Sequence, residues 1–168
     1  VLSLAVSLTQ RGRKVAAISA ASAYNPGGGF ATGGRHALEE AICTQSTLYP
    51  CLQSVWRNAG AAKGSRYIPE DGVLLSPDVE IFRDRTSAAY TPLAAPVALG
   101  CVVSMAMPNL NPKVTDAPSD TFKSSKAYQE ALKSRWCAAL HAACLTGATD
   151  LVVPDVGCGV YQNEPADV

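Results

Sequence analysis

A chain of 168 residues with 48% hydrophobic and only 17% charged side chains can bury a substantial core, and a single domain over 1–168 is expected. Fourteen basic and fourteen acidic residues cancel, so there is no net field to gather duplex nucleic acid and no basic run to mark a footprint for it. A small ligand suits this balance better.

The first apolar run, Val1 to Leu8, is interrupted by Ser3 and Ser7 and leads into Arg11-Gly12-Arg13-Lys14. It is too short for a membrane span and lacks a small-residue cleavage site, so an intracellular protein, cytoplasmic or nuclear, with no membrane partner is expected. The spacing of Val1, Leu4 and Leu8 predicts an amphipathic helix packed on a sheet, with Gly12 as its stop. Val15 to Ala20 then reads as a strand buried on both faces.

That strand opens into Asn25-Pro26-Gly27-Gly28-Gly29-Phe30-Ala31-Thr32-Gly33-Gly34-Arg35-His36-Ala37-Leu38-Glu39-Glu40. Glycines allow positive φ and a close backbone approach to a ligand, and the helix after them offers the positive end of its dipole. An ordinary helix start with acidic residues in its first turn has the same pattern. Spacing excludes two nucleotide motifs: after Gly27 and Gly29 the third fingerprint glycine would fall at Thr32, and no Gly-Lys-Ser/Thr comes after it.

From Arg35 to Val55 the apolar pattern is helical, with Pro50 as the expected break, giving two helices or a kinked one. Val73–Leu75 and Val79–Phe82 read as short strands around the turn Ser76-Pro77-Asp78, and Val97 to Met105 as one further strand. Asn109 to Asp120 holds two prolines and reads as a surface loop, followed by a helix from Tyr128 to Thr146 that stops at Gly147. Leu151-Val152-Val153 is a buried strand leading into a second glycine-rich turn, Pro154 to Asn163. Strands alternating with helices give an α/β fold, and two glycine-rich loops after strands suggest a ligand cleft.

Six cysteines lie mostly within apolar runs, without a CxxC pair and with only His36 and His141 as histidines, so buried free thiols are expected and no metal site. Cys158 has no local basic partner to make it a nucleophile, and a small residue suits a tight loop equally well.

Taken together, these residues resemble the microbial branch of the macrodomain-type poly(ADP-ribose) glycohydrolases, whose signature is a Gly-Gly-Gly run and, several residues later, Gln-Glu-Glu. Gly27-Gly28-Gly29 with Glu39-Glu40 is similar to that signature, and the likeness continues through Ser46 to Pro50, Leu75 to Val79, Phe82-Arg83-Asp84, Ser104 to Asn109, and Gly157 to Pro165. Leu38 stands where the family pattern has glutamine, and the chain given stops at Val168, where the family continues, so truncation at the C-terminus is expected.

The resemblance implies a three-layer α/β/α macrodomain-like fold with a mixed central sheet. It also implies a monomer that binds ADP-ribose or poly(ADP-ribose) on modified proteins and hydrolyses ribose–ribose O-glycosidic bonds without metal or other cofactor. Glu40 would perform the proton transfers such cleavage needs, and Glu39 would hold ribose hydroxyls. Adjacent on a helix, their side chains diverge by about 100°, so they do not flank a bond as an ordinary glycosidase pair does. Asn25, Gly27, Gly28 and Gly29 would contact the ligand from the first loop. Gly157, Cys158, Gly159 and Val160 would offer N–H groups to the diphosphate, and Tyr161 would pack on ribose or adenine. The alternatives are a non-catalytic ADP-ribose reader, a mono(ADP-ribosyl) hydrolase, or a phosphate-binding α/β enzyme of another kind.

Overall fold

The structure, a computed structural model, describes residues 1–33, 37–60, 62, 64–115 and 117–168. Gly34, Arg35 and His36 of the glycine-rich stretch lie outside them, with the helical start placed at Arg35, and so does Asp116.

Strand β1 (Val15–Ala20) is buried along nearly all its length because it has a neighbour on each side. It pairs in parallel with β5 (Cys101–Met105) and with β6 (Asp150–Val152). β2 (Leu74–Pro77) adds antiparallel to β5, so the central sheet is mixed, in the order β2-β5-β1-β6. Strand alternation divides the core in two. Val15, Ala17 and Val102 pack with Leu2 and Ala5 of α1 (Leu2–Gln10), Ile42 of α2 (Leu38–Gln45), and Leu48 and Leu52 of α3 (Leu48–Asn58). Ala16, Ile18, Val103 and Met105 pack on the opposite face with Leu132, Ala139 and Ala142 of α4 (Ser125–Leu145). The result is the expected three-layer α/β/α arrangement.

Several local expectations are corrected. The buried stripe of α1 is Leu2 and Ala5, with Val1, Val6 and Leu8 packed beside it, while Leu4 points outward; the small Ala5 lets the helix lie close to β1. The break between α2 and α3 is not at Pro50. Pro50 sits in the first turn of α3, where its missing N–H would have had no intrahelical partner. The chain instead breaks at Ser46, whose extended backbone lets its hydroxyl donate to the Ile42 carbonyl and accept from the Leu48 N–H.

The single strand expected from Val97 to Met105 is two. β4 (Pro92–Ala98) pairs with β3 (Glu80–Arg83) in a separate two-stranded sheet, and the chain enters β5 only after Gly100, where a Cβ would stand 3.0 Å from the Val15 carbonyl oxygen. β2 and β3 therefore do not pair with each other. Helix α4 starts earlier than Tyr128 because the Ser124 hydroxyl caps it by accepting the Ala127 N–H. All six cysteines are free, but Cys137 and Cys144 are exposed on α4 rather than buried.

The loop from Asn109 to Asp120 is not simply surface: Asn109, Asn111, Val114 and Ala117 are buried. The Asn109 amide donates to the Ala117 and Pro118 carbonyls at 3.3 and 3.1 Å and closes the loop on itself. The same segment grips the second glycine-rich turn, through Asn111 Nδ2 to the Val160 carbonyl (2.9 Å) and the Leu110 N–H to the Tyr161 carbonyl (2.9 Å). Buried Asn163 completes the clamp: its Nδ2 donates to the Pro108 and Gly157 carbonyls, each at 2.9 Å, and its Oδ1 accepts the Tyr128 hydroxyl at 2.9 Å. Asn163→Ala leaves buried polar partners unmatched and is expected to cost about 1–3 kcal/mol in urea unfolding, with faster amide exchange over 157–161 than over β1. An unchanged urea midpoint would mean that the clamp carries no stability.

Candidate active site

The first glycine-rich loop leaves the carboxyl end of β1 and is turned at once by Ser22, whose Oγ accepts the N–H groups of Tyr24 (3.3 Å) and Asn25 (3.1 Å). Gly27 and Gly28 have φ of 75° and 56°, a region that disfavours any side chain. A Cβ on Gly28 would run into the Glu40 carboxylate, and one on Gly27 would stand 2.6 Å from the Tyr49 ring. These two glycines let the loop backbone lie directly against helix α2 and the ring of Tyr49.

The first turn of α2 carries two acids, and both are buried, Glu39 at 3% and Glu40 at 8% exposure. Glu39 Oε2 accepts the Ser22 N–H at 2.7 Å and its Oε1 the Gly27 N–H at 3.0 Å. Glu40 Oε1 accepts the Gly29 N–H at 2.8 Å and its Oε2 the Ala37 N–H at 3.1 Å. The last bond is one half of a capping box; Ala37 has no side-chain oxygen to supply the other. Four N–H donors and the positive end of the helix dipole thus offset the burial of two adjacent carboxylates. Being neighbours on a helix they diverge, and each reaches a different stretch of the loop.

Around them opens a cleft of about 800 Å3 between the two glycine-rich loops. Ser22, Asn25, Gly28, Gly29, Glu39 and Glu40 line one side, and Gly157, Gly159, Val160 and Tyr161 line the other. Among the described lining residues are three carboxylates (Glu39, Glu40 and Asp155) and no lysine or arginine. From these described residues an anionic ligand would meet dipoles rather than cations. The second loop can supply them, since among the described bonds the N–H groups of Cys158, Gly159 and Val160 have no protein acceptor. No three His, Cys, Asp or Glu side chains converge as metal ligands among the described residues.

Nine of the residues singled out in the sequence thus share one cleft, and two do not line it. Gly27 is buried behind the loop, its N–H given to Glu39. Cys158 turns its thiol toward the Val156 carbonyl (3.8 Å), and burial, Asp155 and Glu164 raise its pKa, the opposite of an activated nucleophile. The first loop also corrects the idea of N–H groups held out to a ligand: those of Gly27 and Gly29 go to the glutamates and that of Gly28 to the Asn25 carbonyl. Sequence reasoning missed Ser22, Thr32, Met107, Val114 and Thr115 as lining residues. Ser22 was detectable as the first polar residue after a buried strand, whereas Val114 and Thr115 enter only because the Asn109 loop folds inward.

Comparison with known proteins bears on this arrangement. The family model described as microbial-type PARG, catalytic domain, matches residues 1–84, half of the chain. The structure superposes on poly(ADP-ribose) glycohydrolase from Thermomonospora curvata with a TM-score of 0.74 and 30% identity, over 99% of this chain and 58% of that one. The enzyme from Deinococcus radiodurans, solved in complex with ADP-ribose, gives 0.73 and 30%, over 99% and 64%. This chain therefore spans about 60% of the length of those two relatives. A macrodomain mutant from Oceanobacillus iheyensis, at 14% identity and a TM-score of 0.55 over 90% of this chain and 60% of that one, shares the fold alone. No curated protein matches the sequence. With half of its residues matched by that model, over the loop and acids that build the cleft, the chain belongs to the microbial-type poly(ADP-ribose) glycohydrolase catalytic-domain family.

Proposed function

We propose that the cleft binds the terminal ADP-ribose of protein-linked poly(ADP-ribose) and hydrolyses its ribose–ribose O-glycosidic bond. One observation carries this reading: Glu40, on the cleft wall, is almost wholly withdrawn from water and fixed through both oxygens to the backbone at Gly29 and Ala37. An acid held so firmly is pre-positioned for proton transfer. The relative from Deinococcus radiodurans, solved with ADP-ribose, supports the choice of ligand.

Glu40 gives a proton to the leaving ribose oxygen as the glycosidic bond opens and positive charge develops at the anomeric carbon. The resulting carboxylate then takes a proton from the water that attacks that carbon, which restores the acid and leaves one free hydroxyl on each sugar. A protonated Glu40 keeps one oxygen for a backbone N–H, so one of its two contacts, to Gly29 or to Ala37, yields to the leaving oxygen. Glu39 holds Ser22 and Gly27 in place and, as a carboxylate that can accept several bonds, also takes those of ribose hydroxyls, joined by Asn25. The N–H groups of Gly157 to Val160 receive the diphosphate, and Tyr161 packs on the sugar or base.

A reader without turnover is the second reading, and the observation favouring it is Leu38, which lines the cleft where the family pattern has a hydrogen-bonding glutamine. One experiment separates the two. Glu40→Gln is expected to lower ADP-ribose release from poly(ADP-ribosyl)ated protein at least about 100-fold while calorimetry still finds ADP-ribose bound. Binding by the unsubstituted chain with no release would establish the reader, and no binding would sink both.

Gly28→Ala acts on the same acid from outside. Because its methyl group meets the Glu40 carboxylate, turnover is expected to fall about 100-fold, with a lower thermal midpoint from the strained φ. Turnover matching that of the unsubstituted chain would show that the position of Glu40 does not limit the reaction.

A further inference from the structure

The cleft holds a third carboxylate that the proposed hydrolysis leaves unused. Asp155 lines it just beyond β6, at the root of the second glycine-rich loop. Glu39 and Glu40 each hold two backbone N–H groups, whereas Asp155 is exposed and has no hydrogen bond or ion pair among the described residues. Its charge reaches into the loop, where, after burial, it helps to raise the pKa of the Cys158 thiol. A carboxylate there repels a diphosphate held on the N–H groups of Cys158, Gly159 and Val160. A ligand offsets that repulsion when it also brings a hydrogen-bond donor to Asp155.

The topology indicates which part of the ligand that is. β6 is an edge strand, paired with β1 on the side away from β5. ADP-ribose is a linear chain of reacting ribose, diphosphate and adenosine. With the reacting ribose at Glu40, whose loop leaves β1, and the diphosphate on the second loop, the adenosine lies farthest from Glu40, on the β6 side with Asp155. It carries two kinds of donor, the adenine amino group and the 2′- and 3′-hydroxyls of its ribose. Both oxygens of a carboxylate can accept from a vicinal pair of hydroxyls, whereas an amino group engages one. Dinucleotide-binding folds likewise set an acid against a ribose 2′-hydroxyl.

We propose that Asp155 is a specificity-determining residue that accepts the 2′,3′-diol of the adenosine ribose and rejects a ligand whose 2′-hydroxyl is phosphorylated. The inference rests on the proposed glycohydrolase reading, which orients the ligand in the cleft. A 2′-phosphate removes one donor and sets negative charge beside the carboxylate, so the residue that rewards the free diol penalises its phosphate ester. Asp155 takes no part in the four bonds of Glu39 and Glu40, so its replacement leaves them in place.

The test is calorimetric binding of ADP-ribose, of its analogue lacking the adenosine 2′-hydroxyl, and of its adenosine 2′-phosphate, to the unsubstituted chain, Asp155→Ala and Asp155→Asn. The unsubstituted chain is expected to bind ADP-ribose about tenfold more tightly than the deoxy analogue and at least about 100-fold more tightly than the 2′-phosphate. Asp155→Ala is expected to erase the deoxy difference. Asp155→Asn, which keeps the shape and loses the charge, is expected to narrow the 2′-phosphate difference at least about tenfold. Equal binding of ADP-ribose and the deoxy analogue by the unsubstituted chain, a deoxy difference that survives Asp155→Ala, or a 2′-phosphate penalty unaltered in Asp155→Asn would overturn the proposal. Failure of ADP-ribose to bind the unsubstituted chain would instead overturn the reading beneath it, and the proposal with it.

Discussion

Four backbone N–H groups closing on two adjacent buried carboxylates are the constraint on which the rest of the site depends. Charge-assisted bonds of this kind contribute about 1.5–3 kcal/mol each, and without them the burial of Glu39 and Glu40 side by side would be prohibitive. The donors come from just after β1 (Ser22), the glycine loop (Gly27 and Gly29) and the N-cap of α2 (Ala37), so the first three bonds tie the start of α2 to the segment that leaves β1. The groups behind the acids keep the local charge down. Burial, then Glu39 and Glu40, push the Cys43 thiol well above its usual pKa, and burial together with Glu39 does the same to the Tyr67 hydroxyl. Both stay neutral beneath the carboxylates.

The second loop is held by a different chemistry. Asn111 and Asn163 are neutral amides, and they bind carbonyl oxygens of the loop and of Pro108 rather than its N–H groups. Amides that occupy acceptors leave donors available, which suits the proposed role of this loop in offering N–H groups to a diphosphate. Carboxylates do the reverse in the first loop, consuming N–H groups and leaving oxygens at the cleft wall. The two sides of the cleft are thereby complementary in polarity, acceptor-rich at the glutamates and donor-rich at the second loop.

The legibility of each feature in the sequence depends on the physical signal that specifies it. β1 and β5 could be read because continuous apolar runs mark strands covered on both faces, and the two glycine loops because few residues besides glycine tolerate φ near 75° or 80°. The pairing of those loops into one cleft was suggested by their common place after buried strands, and reinforced by the likeness of the motif order to a family. The division of Val97–Met105 into two strands was not, since both halves are apolar and only the close approach of Gly100 to β1 separates them. The inward fold of Asn109–Asp120 was hidden for a similar reason. Its polar residues read as solvated when they are self-bonded, and Asn109 satisfies its own loop instead of water. The roles of the glutamates as loop latches were also invisible, because an acid in a first helical turn looks the same whether it faces water or a pair of backbone donors.

A cleft whose described walls carry three carboxylates and no lysine or arginine imposes a particular way of binding a nucleotide diphosphate. Mobile cations would attract any polyanion, whereas N–H groups fixed by Asn111 and Asn163 reward only an anion whose oxygens fall at the right points. Affinity then comes from geometry more than from net charge, consistent with a chain whose fourteen positive and fourteen negative side chains cancel. The same arrangement bears on turnover. Under the proposed hydrolysis, a product that carries its diphosphate away would have to leave the site, and fixed dipoles that release an anion to water lose less than a desolvated arginine pair would. Under the proposed function, acids near the sugar and, among the described lining residues, no lysine or arginine near the phosphates would be two parts of one solution: tight placement of the bond to be broken, with a modest hold on what is released.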